Sequence, residues 1–221
     1  MALRIRTHWH DDDAERSIEE IAGAIAFNAW RIAKNMAINL HGEDFVYDND
    51  EQRFGVIVEY LLFQLALTDR IASERLELDD DTRRKLVIAT AKGMAAHLQD
   101  NMVDIFGEGD YVQPFVAKLN ERGGEYAEFS LSDDGPSYPF MRHLGYEIQQ
   151  VMGESHVDFI DGRTARFPLD NLPPPRLAGL VQDLLAHDLH ILAGYLLTAS
   201  TFLKGDDMVI GWAVGCVRLA P

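Results

Sequence analysis

A carboxylate stands in the middle of the most apolar stretch of this chain: Glu59 in FGVIVEYLLFQLALT, residues 54–68. Burying an ionised carboxyl group among such side chains is expensive unless it is paired, protonated or bound to a cation. Glu59 therefore reads either as a general base or metal ligand, or as a structural charge, in an ion pair with an Arg, Lys or His of a neighbouring helix or exposed on a narrow strip of solvent. A second set lies near the C-terminus, where Asp183, His187 and His190 follow one another at spacings of four and three. On a helix all three project from one face, and two imidazoles with a carboxylate suit a divalent transition metal. Glu59, His97, Asp100 or His143 would have to supply a fourth ligand. The other reading of that face is a polar stripe turned to water.

The same segment, DLLAHDLH, resembles the signature of HD phosphohydrolases, in which a helical His-Asp pair binds metal; His187 and Asp188 would be that pair. The resemblance implies a metal-dependent hydrolase that also needs an earlier His and a later Asp, for which His156 and Asp206 stand at suitable positions. His8, His10 and Asp11 to Asp13 form a further cluster on a terminal arm, although Asp12 with Glu15 also reads as a capping box. No G-x-x-x-x-G-K-S/T, G-x-G-x-x-G after a strand, G-x-S-x-G or H-E-x-x-H is present. Cys216, the lone cysteine, lies in an apolar run that suits packing better than nucleophilic chemistry.

Positioning these groups falls to helices. Ile18, Ile21, Ala22, Ile25, Ala26, Ala29, Trp30, Ala33, Met36, Ala37 and Leu40 recur at helical spacing and predict an amphipathic helix over 13–41, stopped by Gly42. Asp48 or Asp50 caps the next helix, which runs to about Leu76. Its stretch 54–68 is apolar nearly all round, as a buried central helix is, and at about fifteen residues it is shorter than the roughly 20 a bilayer crossing takes. A third helix over 82–106 carries the stripe Leu86, Val87, Ala91, Met94, Ala95, Leu98, Met102 and Ile105, and Gly107 with Gly109 ends it. Asp110 caps a fourth, which Gly123-Gly124 breaks. The turn SDDGPSYP leads to a fifth over 140–152. Asp161-Gly162 then signals a hairpin, the PPP at 173–175 opens a last long helix to about Lys204, and residues 208–219 read as a strand. The expected fold is mainly α: a helical bundle around one central apolar helix, with a small C-terminal β-hairpin and strand. Residues 1–11 form an arm, 12–152 the helical domain, and 153–221 an extension packed on the same body.

With 36 acidic against 20 basic residues the formal charge is -16, which repels nucleic-acid phosphates and anionic lipid. The amino-terminal segment lacks the apolar core of a secretory signal, so a cytoplasmic location is expected. A homodimer joined by helical faces suits the composition equally well.

Two blocks resemble the ubiquinol–cytochrome c chaperone family, helical proteins that assist assembly of the respiratory bc complex. They are DNDEQRFGVIVEYLLFQLALTDRI and HLQDNMVDIFGEGDYVQPFVAKL, together about a fifth of the chain. The spacing between the blocks and the segment GGEYAEF depart from that family's pattern. The resemblance implies a noncatalytic assembly factor without a cofactor that grips a client polypeptide, with Arg53, Phe54, Gly109 and Asp110 as the residues at issue. Read by themselves, these four supply helix-surface charge, core packing, a turn and a cap.

Overall fold

The computed structural model describes residues 16–42, 45–132 and 135–153. The first helix, α1 (Ile18–Gly42), opens on a reciprocal capping box: Ser17 N–H donates to Glu20 Oε2 at 3.1 Å and Glu20 N–H to Ser17 Oγ at 3.2 Å. This moves its start past the expected residue 13, because Arg16 and Ser17 precede the helix. The central helix α2 (Asp50–Arg70) is capped by Asn49, between the two expected aspartates; its extended backbone lets its side chain accept from Gln52 N–H at 2.8 Å. A π turn, Ile71–Arg75, closes α2, with Leu76 N–H donating to the Ile71 carbonyl.

Asp79 caps α3 (Asp80–Phe106), and Gly107 ends it at φ 87, a conformation open to glycine. Asp110 Oδ1 accepts from Val112 and Gln113 N–H, both at 3.1 Å, and so caps α4 (Val112–Tyr126). The expected break at Gly123-Gly124 does not occur. Each glycine weakens a helix by roughly 1 kcal/mol relative to alanine, but Arg122 and Tyr126 on either side of the pair are both buried, and that packing carries the helix through. Strands β1 (Leu131–Ser132) and β2 (Gly135–Pro136) then pair antiparallel, Leu131 opposite Pro136, where a turn alone was expected. The last described helix is α5 (Tyr138–Met152). The expected C-terminal hairpin, long helix and strand lie outside the described residues, as does the arm.

Five helices thus alternate in direction. Ala26 and Trp30 of α1 face Gly93 and His97 of α3, so those two run parallel. Along α2, Phe63 meets Phe140, Glu59 reaches Glu147 through Arg122, and Gly55 approaches Val151, so α5 runs antiparallel to α2. One continuous core results, with α2 in its centre: Phe54, Val56, Ile57, Tyr60, Leu61, Leu62, Phe63, Leu65 and Leu67 are all buried. The α3 stripe is as expected except at its end, where Ile105 is exposed and Phe106 turns instead to Phe54. No helix among the described residues is long and apolar enough to cross a membrane.

Small residues set a close approach of α3 to α1. A Cβ added to Gly93 would stand 2.7 Å from the Cβ of Ala26, inside any permitted contact, and neither atom belongs to a side chain that can swing away. Gly93→Val is therefore expected to destabilise the fold by about 1–3 kcal/mol through overpacking. Urea unfolding checks this: the midpoint should fall with an unchanged slope.

Candidate functional site

Glu59 is fully buried on α2, and both of its carboxylate oxygens are held by cations from α4. Lys118 Nζ lies 2.5 Å from Oε1, Arg122 Nε 3.3 Å from Oε2, and Arg122 Nη2 3.4 Å from Oε1. Of the two sequence readings, the ion pair is the arrangement present. Lys118 and Arg122 come to the same carboxylate because residues four apart share a helix face. Arg122, itself buried, spreads its guanidinium further: Nη2 donates to Glu147 of α5, and Nη1 to Glu125 Oε2 at 3.0 Å and Glu121 Oε1 at 3.3 Å. The planar fork of arginine is the side chain that can serve several carboxylates at once. His143 completes the group, its Nε2 lying 3.1 Å from Glu125 Oε2 and 3.9 Å from Glu147 Oε1.

The electrostatics follow from burial. Burial works against the charge of Arg122, yet the hydrogen bond and field of Glu59, then the fields of Glu147 and Glu125, raise its pKa, so it stays cationic. Burial raises the carboxyl of Glu147 above the ordinary range; Arg122 opposes the shift while Glu59 and Glu125 add to it. The Tyr126 hydroxyl is driven up by burial, then by Glu59 and Glu147, and it has no hydrogen-bond partner among the described residues. Its ring meets His143 edge-on at 5.0 Å and packs against Phe140 at 5.3 Å and Phe63 at 6.1 Å.

Donor atoms of Glu125, His143 and Glu147 lie within 4.8 Å of one another, a span that modest closure would bring to the ligand distances of a divalent ion. Arg122 already donates to both of those carboxylates, however, and its fixed positive charge opposes a second cation there. The set fits a guanidinium and not a metal. As for the other fourth-ligand candidates, His97 stacks on Trp30 and faces Phe27, where burial lowers its pKa against the pull of Asp100. Asp183, His187, Asp188 and His190, with His156 and Asp206, lie outside the described residues.

The four residues drawn from the two blocks gather at one end of the bundle. Phe54 is buried against Phe106 at 5.5 Å between ring centres, and Phe106 lies 6.3 Å from Tyr111. Gly109 sits so close to the Tyr111 ring that an added Cβ would stand 3.0 Å from it, and its carbonyl accepts from Gln99 Nε2 at 2.7 Å. Asp110 caps α4 as described. Arg53 pairs with Asp50 at 2.8 Å and lies over the Phe54 ring. It also lines a cleft of about 380 Å³ between the end of α1 and the start of α2, with Ala37, Ile38, His41, Tyr47, Asn49 and Asp50. His41 and Tyr47 stack there at 5.8 Å.

Arg122, Lys118, Glu125 and Glu147 were not legible as a group. Their only signals were the i, i+4 spacings Lys118 to Arg122 and His143 to Glu147, and the need of Glu59 for a partner. The fold and this centre define a helical-bundle protein with a buried ionic network tying three helices. No protein-family model matches the chain, and comparison with curated proteins and with solved structures returns no significant match.

Proposed function

We propose that this protein is a noncatalytic helical binding protein that grips a polypeptide at the end where α1 and α3 finish and α2 and α4 begin. The observation that carries the reading is the cleft beside Arg53: Ile38 on its wall is 62% exposed and Val46, in the connection that follows α1, is 55% exposed. Large apolar side chains left in water around a concavity mark interaction surfaces. Asp48, Asp50 and Glu51 are exposed at the start of α2, and the whole chain carries a formal charge of -16, so a partner segment with an apolar side chain beside basic residues is the best complement. The blocks that resemble the ubiquinol–cytochrome c chaperone family meet at this same end through Phe54, Phe106 and Tyr111, which supports a chaperone-like role. The buried charged groups Glu59, Arg122 and Glu147 are engaged with one another, as structural charges are.

Affinity capture from native lysate tests this with the wild type, with Ile38→Asp, and with Tyr138→Asp as a control at the far end, where Tyr138 is also exposed. The expected result is a polypeptide partner retained by the wild type and the control and reduced at least about tenfold by Ile38→Asp, the effect of losing a central apolar anchor worth 1.4 kcal/mol or more. Recovery that is indifferent to Ile38→Asp would refute the assignment of this end.

A further inference from the structure

Within the charged centre, three carboxylates, Glu59, Glu125 and Glu147, share two fixed cations, Lys118 and Arg122. Glu121 adds a fourth acid, but it is mostly in water, where solvent screens it. The facing groups are Glu59 on α2; Lys118, Glu121, Arg122, Glu125 and the Tyr126 hydroxyl on α4; and His143 and Glu147 on α5. Among the described residues the centre is thus one positive charge short, and the shortage falls where α4 meets α5. There Glu125, His143 and Glu147 converge around one side of the guanidinium.

We infer that the Glu125–His143–Glu147 triangle binds one proton that fastens α5 to α4, so that loss of this proton loosens α5 while the α1–α3 pair stays closed. With the proton on Glu147 the charges of the centre balance. Without it, the buried carboxylate of Glu147 and the partly solvated one of Glu125 repel from facing helices across a single guanidinium.

The sign is set by Glu147, whose carboxyl is raised by burial, opposed by Arg122 and reinforced by Glu59 and Glu125. The folded chain therefore keeps a proton that the unfolded chain has released. The added stability is complete below the ordinary carboxylate range and is lost as the pH climbs through the raised folded value. The α1–α3 pair has a dependence of the opposite sign, because burial holds the pKa of His97 down and its protonation at low pH works against that contact.

Hydrogen exchange of the full chain at pH 5 and pH 8, corrected for intrinsic rates and read by peptide, tests this directly. Protection of α5 is expected to fall about tenfold or more from pH 5 to pH 8, while that of α1 does not fall. Glu147→Gln carries no charge at either pH and should hold α5 protected at both. Glu125→Gln removes one charge from the same triangle and should flatten the profile likewise, so either variant decides if the other does not fold. Wild-type α5 protection that changes by less than about twofold, or a folded glutamine variant that keeps the wild-type slope, overturns the inference.

Discussion

Arg122→Met is expected to lower the free energy of unfolding by about 3 kcal/mol, at the lower end of the range for breaking a buried pair. Arg122 is the only side chain among the described residues that donates to Glu59, Glu125 and Glu147 together. Methionine fills much of the same space but leaves Glu147 buried without its guanidinium and Glu59 with Lys118 alone. The lower end applies because Lys118 still neutralises Glu59. Chemical denaturation at neutral pH measures the loss. Adding Glu147→Gln to Arg122→Met should recover part of it, since the uncompensated acid is then gone, and a double-mutant cycle gives the coupling. A loss below about 1 kcal/mol, the range of exposed pairs, would mean that the network is solvated and does not hold the helices.

Phe63→Ala should cost about 3–5 kcal/mol, as aromatic truncations in closed cores do. Phe63 is fully buried on α2, and its ring meets Phe140 of α5 edge-on at 5.0 Å and Tyr126 of α4 at 6.1 Å. Removing it empties the place where those three helices touch, one turn from Glu59. Collapse around the void is limited because Tyr126 is also pinned against His143, Phe129 and Phe140. Phe63→Leu retains most of the volume and should cost under about 1.5 kcal/mol. Thermal unfolding of both variants checks the ordering, and equal losses would show that the site is not tightly packed.

The central helix was readable because its apolar run leaves no polar face, and a run of that kind has nowhere to go but inside. The demand that Glu59 be paired was readable for the same reason. The partner was not. Arg122 lies 63 residues from Glu59 and 25 from Glu147, and no local spacing encodes contacts so distant. Gly123-Gly124 also disguised it, since two glycines after a charged run look like the end of a helix, whereas the burial of Arg122 and Tyr126 keeps α4 intact. Caps shifted by a residue, as at Asn49, because aspartate and asparagine compete closely for that position. Arg53, Phe54, Gly109 and Asp110 were singled out from two separate blocks; that they lie at one end depends on the long-range contact of Phe54 with Phe106, which only the packed bundle reveals.

Docking at the α1–α2 end is tested most directly by a photo-reactive side chain placed at position 38 and, in a second version, at position 138 of the full chain. Each is irradiated in native cells and its adducts are identified by mass spectrometry. The expected result is a covalent adduct with a second polypeptide from position 38, through a segment bearing basic residues, and none above background from position 138. Adducts of equal yield from both positions, or from neither, would contradict a polypeptide-gripping role for that end of the bundle.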